Sequence, residues 1–202
     1  METCHGKMDS LTAVISSQFC VPGNLHLTIV RKPTGFIKGK FKVTDDKGNY
    51  VFNVKEKMLS IHGRLLLLDS GSNPIVTFKK KILSTRRRWQ VFRGGSSDYV
   101  DLIFTTKNSS LVQFKIELDV FLAGNEGNNS WDFKVVGNWD ERSCIVYDKD
   151  STPVAQIQKK HTFGGIVLGK DTLNVTVYPQ VDYAFIVALI VILYEIKQDT
   201  EY

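Results

Sequence analysis

One stretch near the end of the chain, Tyr183-Ala-Phe-Ile-Val-Ala-Leu-Ile-Val-Ile-Leu-Tyr194, runs for twelve residues without a charge, opened by Asp182 and closed by Glu195. As a helix it is roughly 18 Å long, at about 1.5 Å per residue. A bilayer core is about 30 Å thick and asks for about 20 apolar residues. The run is therefore too short to cross a membrane comfortably, and too apolar on every side to lie on a protein surface. Something has to wrap it completely. Its Val and Ile content also suits a strand, but three features favour a helix. Asp182 is a good N-cap, the run exceeds the usual strand length, and Ala184 and Ala188 stand one turn apart. We read a central helix over 182–196, with Tyr183, Phe185, Ile186, Leu189, Ile190 and Leu193 as core positions. Each buried side chain contributes roughly 1.5–3 kcal/mol.

The wrapper is legible upstream. From about Leu25 to Tyr178 apolar residues recur with period two and are broken by turn residues every several positions. Phe114, Ile116, Leu118, Val120 and Leu122 alternate with Lys115, Glu117, Asp119 and Phe121, the mark of a strand with one buried face. Leu173, Val175 and Val177 repeat the pattern before Pro179. Shorter candidates include Leu27–Val30, Phe41–Val43, Tyr50–Val54, Leu65–Leu68, Trp89–Phe92, Leu102–Thr105, Phe133–Val136 and Cys144–Tyr147. The fold class that follows is all-β with one helix: a closed antiparallel barrel of about twelve strands around the hydrophobic C-terminal helix.

A weak internal repeat points to hairpins as the building unit. Asp45–Val54, Asp69–Phe78 and Asp148–Ile157 each turn through Asp, Gly, Ser or Asn and re-enter a strand, and Thr105–Phe114 is a poorer copy. These residues tolerate left-handed or Asx-turn geometry. Their unequal spacing argues for a meander and against a solenoid. No linker divides the chain. We expect a flexible N-terminus over 1–18, a single barrel domain over 19–197 and a tail over 198–202.

The three cysteines, Cys4, Cys20 and Cys144, show no paired spacing, and no good signal core is present. Reduced thiols and a cytoplasmic or nuclear protein that is not secreted are expected. A net charge of +5 permits an anionic partner without requiring one. The sharpest charged feature is Lys79-Lys-Lys81 followed by Arg86-Arg-Arg88. If Phe78–Leu83 and Arg86–Phe92 pair, Trp89 and Val91 face the core, Arg87 sits at the rim, and Lys79, Lys81, Arg86 and Arg88 form an outward anionic-lipid patch. The competing reading is a set of edge-strand charges that blocks sheet-to-sheet aggregation. Nucleic acid is disfavoured, because alternation assigns Trp89 to the core and away from base stacking.

Catalytic and metal constellations are poor. His5, His26, His62 and His161 show no ligand spacing, and Cys144 reads as a buried small apolar residue. Asp148-Lys-Asp150 lacks the glycine and closing glutamate of a Ca²⁺ loop, and Gly94-Gly-Ser-Ser97 lacks a P-loop lysine. No catalytic residue, cofactor or metal is expected.

Six motifs in order resemble the plant LURP-one-related family: Phe19-Cys20, Leu27-Thr-Ile-Val-Arg-Lys32, Trp89-Gln-Val-Phe-Arg-Gly-Gly95, the Leu-Asp-Val-Phe-Leu close of Lys115–Leu122, Glu141-Arg-Ser-Cys-Ile-Val146 and Val177–Val187. The resemblance covers roughly Val14 to Lys197. The family is similar in fold to the tubby C-terminal domain and to phospholipid scramblases, which implies a barrel threaded by a C-terminal helix. It also implies a non-enzymatic regulator or adaptor, tethered to membranes through phosphoinositide, with a role in plant defence. A monomer with protein partners still to be identified is expected, in the cytoplasm, peripheral to the plasma membrane or nuclear. One rival is a scramblase-type membrane protein with the terminal helix inserted. The other is a carrier or enzyme with a small apolar ligand in the barrel.

Overall fold

The apolar helix and the alternating strands solve each other's burial problem. The computed structural model describes residues 11–31, 40–56, 64–81, 88–109, 115–125, 130–138, 141, 143–159 and 172–198. Twelve strands follow in chain order: β1 (Leu25–Arg31), β2 (Phe41–Asp45), β3 (Tyr50–Glu56), β4 (Leu65–Asp69), β5 (Pro74–Lys81), β6 (Arg88–Arg93), β7 (Leu102–Asn108), β8 (Lys115–Leu122), β9 (Phe133–Asn138), β10 (Ser143–Asp148), β11 (Pro153–Lys159) and β12 (Thr172–Val177). Each pairs antiparallel with its neighbours in sequence, and β12 pairs with β1, closing the barrel. Closure leaves no strand edge.

Helix α1 (Tyr183–Gln198) fills the lumen. Phe185, Ile186, Leu189 and Ile190 have no exposed surface and Leu193 almost none, while Tyr183 is half-buried against the same core. Inward strand residues meet them from all sides: Phe104 and Phe133 pack their rings on Phe185 at 5.3 and 4.8 Å between centroids. An all-round apolar helix is thus stable in water because the sheet surrounds it. Among the described residues no helix is long and apolar enough to cross a membrane.

Asp182 caps α1 as its position suggested, and does more. One carboxylate oxygen accepts the Phe185 N–H at 3.0 Å, and the other accepts the N–H groups of Ile15 and Ser16 at 2.7 and 3.0 Å. The first described segment therefore plugs the barrel mouth at the helix N-terminus. Thr12 bridges Val181, Cys20 bridges Asp182, and Ile15 and Phe19 are buried. The packed body begins before residue 19, where the sequence placed it, because the buried carboxylate needs the donors that residues 15 and 16 supply. Burial pushes Asp182 up from the ordinary carboxylate range against the pull of these N–H groups, and raises the Cys20 thiol and Tyr183 phenol nearby. Residues 1–10 of the expected flexible N-terminus and 199–202 of the tail lie outside the described residues.

Three of the four repeats are one turn built three times. Asp45, Asp69 and Asp148 each accept the backbone N–H of the residue four positions on, through a side-chain oxygen. Gly48, Ser72 and Ser151 occupy the same place in the turn with φ of 81°, 67° and 62°. The poorer copy behaves differently: Thr105 lies within β7, which ends at the opposite rim.

Candidate functional site

The cationic hairpin forms because its two strands alternate in phase. Phe78 pairs with Val91 and Lys80 with Trp89 on the inner face, so Lys79 and Lys81 face outward, with Lys81 directly opposite Arg88. Lys81 and Arg88 are exposed and Lys79 is half-buried. Trp89 and Val91 are buried as expected, whereas Arg86 and Arg87 lie outside the described residues. Like charges opposed across a ladder are destabilising unless something compensates them.

The next strand supplies a cation that the sequence did not reveal. Trp89 pairs with Thr106, which places Lys107 on the outer face beside Arg88. Its only sequence signal is one outward position in a strand, and the register between β6 and β7 decides what stands next to it. The adjoining acid, Asp119, pairs with Lys107 across the β7–β8 ladder, but is engaged by the Ser109 hydroxyl and by Lys134 at 3.5 Å. Lys134 also bonds Glu117 at 2.6 Å, a hydrogen bond that holds Glu117 below its usual range. The acids of this wall therefore have a cation of their own, away from Lys81 and Arg88.

The outer wall beyond Lys79 is covered. Thr77, Gln90 and Phe92 are buried although they face away from the lumen. The connection after β6 folds back on this side, with the Thr77 hydroxyl donating to the Gly94 carbonyl at 2.8 Å and Arg64 donating to Ser97 Oγ at 2.8 Å. The Gly94–Ser97 segment is thus a structural cover, followed only by a single 3-10 turn over Tyr99–Asp101 before β7. Arg93, at the other end of β6, donates to the Ile15 carbonyl and belongs to the plug, away from the patch.

The remaining candidates separate from one another. His26 is exposed and pairs its ring with the Thr176 hydroxyl at 3.2 Å, while His5, His62 and His161 lie outside the described residues. Cys144 is buried opposite Gly137, and burial pushes its thiol up to about 12, which leaves it protonated and a poor nucleophile. Among the described residues no three His, Cys, Asp or Glu side chains are placed to hold a metal.

A closed antiparallel barrel filled by its own C-terminal helix, with cations gathered on one wall, defines the class of protein. The family model described as LURP-one-related matches residues 25–194, and the chain belongs to that family. It is 46% identical over 187 residues to LURP-one-related 15 of Arabidopsis thaliana, covering 92% of this chain and 86% of that protein. It is 47% identical over 192 residues to LURP-one-related 10 of the same plant, covering 94% and 99%. It is 42% identical to LURP1 of that plant, covering 95% and 93%. An X-ray structure of an Arabidopsis thaliana protein, 40% identical, superposes with a TM-score of 0.72 over 94% of this chain and 99% of the other.

Proposed function

We propose that this protein is a non-enzymatic regulator or adaptor that docks on anionic phospholipid, phosphoinositide included, through Lys79, Lys81, Arg86 and Arg88, with Lys107 extending the patch. The observation that carries the reading is the opposition of Lys81 to Arg88 on strands that are paired on both sides. An edge strand has a use for such charges as guards against aggregation. β5 and β6 lie inside the closed barrel, which weakens that use, although Lys81 stands beyond the last residue of β5 that β4 pairs. A membrane surface offers about 1 kcal/mol per cation.

The lumen occupied by α1 argues against the carrier reading, and the burial of α1 on all sides argues against its insertion into a bilayer. A protonated Cys144 and the separation of the described histidine and cysteines support a binding role over catalysis. The family resemblance extends the proposal to plant defence, with the protein cytoplasmic and peripheral to the plasma membrane or nuclear.

The test is co-sedimentation with phosphatidylcholine vesicles, with and without phosphatidylinositol bisphosphate. Wild type should prefer the anionic vesicles. Replacing Lys79, Lys81, Arg86 and Arg88 with Ala should weaken binding by up to about 4 kcal/mol, about 1 for each cation, with the fold intact. Binding should fade as salt shortens the Debye length from about 10 Å to about 3 Å. Unchanged binding by the folded quadruple variant rejects the patch, and equal affinity for duplex DNA reduces it to generic electrostatics.

A further inference from the structure

Arg64 is a partly buried cation without an acid. It stands just before β4, and continuing the β4–β5 register one residue past the Leu65–Phe78 pair sets it across from Lys79 on the outer face. Its Nη1 donates to Ser97 Oγ at 2.8 Å, which ties it to the connection after β6. Its Nε is buried and meets no acceptor. Among the described residues no acid forms an ion pair with Arg64 or Lys79. Asp98 follows Ser97 in the chain and engages neither, and Lys55 adds a further outward cation beside β4, opposite Leu66.

Pinning the connection does not explain a cation here. A neutral donor would reach Ser97 as well, without the cost of withdrawing a charge from water. Lys79 opposite adds like-charge repulsion. The neighbours are donors too. Ser97 Oγ accepts from Arg64, so its own O–H is left to donate. Gln90 pairs with Lys79 in the β5–β6 ladder, faces the wall that this connection covers, and is only 8% exposed. Its amide bonds no described residue. Arg64, Lys79, Gln90 and Ser97 thus gather N–H and O–H groups with two positive charges and no carboxylate. That is the donor set of an oxyanion site, and the planar guanidinium fork matches a phosphate.

We propose that Arg64 holds a phosphomonoester group against the outer wall, with Ser97, Lys79 and Gln90 completing its shell. A phosphomonoester brings about two negative charges and three free oxygens, enough for both cations and the two neutral donors, whereas a carboxylate brings one charge and two oxygens. The group has two sources, a phosphorylated inositol headgroup or a soluble phosphate ester, and the first rests on the lipid reading above. With a headgroup the tasks divide: exposed Lys81 and Arg88 supply charge to any anionic surface, and Arg64 reads the phosphate.

The full-length protein is tested in two arms. In solution, inositol trisphosphate is titrated by calorimetry; on membranes, vesicles carrying phosphatidylinositol bisphosphate are compared with phosphatidylserine vesicles of equal charge. Wild type should bind the trisphosphate and prefer the bisphosphate vesicles by about tenfold or more. Arg64→Lys keeps the charge and loses the fork. It should weaken both phosphate ligands by about tenfold and leave phosphatidylserine binding within about twofold. Ser97→Ala deletes one hydroxyl and should weaken the trisphosphate by about fivefold, which serves if circular dichroism shows Arg64→Lys unfolded. Trisphosphate binding that depends on these residues, without vesicle binding, supports the site, makes a soluble phosphate ester its ligand and counts against the lipid reading. Equal binding to the two kinds of vesicle with no trisphosphate binding overturns the site and leaves charge-driven lipid docking standing. So does unchanged phosphate binding in a folded Arg64→Lys. No binding in either arm removes both.

Discussion

Replacing Asp182 with Ala should break the joint between the helix and the plug at the barrel mouth. The carboxylate accepts three backbone N–H groups, those of Phe185, Ile15 and Ser16. Loss of an N-cap costs about 0.5–2 kcal/mol. Each of the other two N–H groups, left without an acceptor in a buried place, costs about 1–3 kcal/mol. Relief from burying a carboxylate offsets part of this, since burial already raises Asp182. A net loss of about 3–4 kcal/mol is expected, which at about 2–4 °C per kcal/mol for a domain of this size lowers Tm by about 10 °C. Amide exchange should quicken at Ile15 and Ser16 before the barrel strands. Asp182→Asn is the informative control: its Oδ1 can still cap Phe185, but its amide nitrogen meets the Ile15 and Ser16 donors. The fold raises the Asp182 pKa, so the folded state holds its proton over a window that the unfolded chain, near the ordinary value of about 4, does not. The contribution of this residue therefore falls as pH rises through that window. Wild type should lead Asp182→Asn by more at about pH 4 than at about pH 8. A Tm for Asp182→Ala within about 1 °C of wild type, with unchanged exchange at Ile15 and Ser16, would refute the joint.

Three further outcomes follow from packing. Phe185→Ala removes a fully buried ring that Phe104 and Phe133 contact, and should cost about 3–5 kcal/mol in urea unfolding; an unchanged midpoint would put Phe185 outside the core. Gly137→Ala sets a methyl against the Ser143 carbonyl oxygen and 2.7 Å from the Cys144 Cα, so it should destabilise by about 1–3 kcal/mol or more even though Ala suits a strand as well as Gly does. Ser72→Gly should stabilise by about 0.5–1 kcal/mol, because Ser72 holds φ at 67° in the position that Gly48 fills in the sister turn; a destabilised variant would mean the left-handed backbone is not a source of strain.

Much of the architecture was legible because its signals are local. Period two in Leu118–Val120 and Leu173–Val177 assigns faces without knowledge of partners, and both sets of inward positions are buried. The turn chemistry of Asp45, Asp69 and Asp148 is contained within five residues, and the repeats that share it became the same hairpin turn. The outward facing of Lys79 and Lys81 was legible for the same reason, through their alternation with Phe78. Lys107 was not, since what stands beside it depends on the register of a neighbouring strand. The role of Phe92 was missed as well: alternation turns it outward, and only the fold-back after β6 explains its burial.

The sequence by itself determined that an apolar helix needed a closed wrapper, because twelve uncharged residues cannot face water on any side. It also determined which strand residues would line that wrapper. Tertiary structure alone decided the ring closure of β1 on β12 and the capture of Ile15 and Ser16 by Asp182. The physical reason is range. Periodicity and turn chemistry act between neighbours in the chain, whereas the Asp182 bonds join residues 167 and 166 positions apart. Contacts of that separation depend on where the whole chain returns, and no local pattern records it.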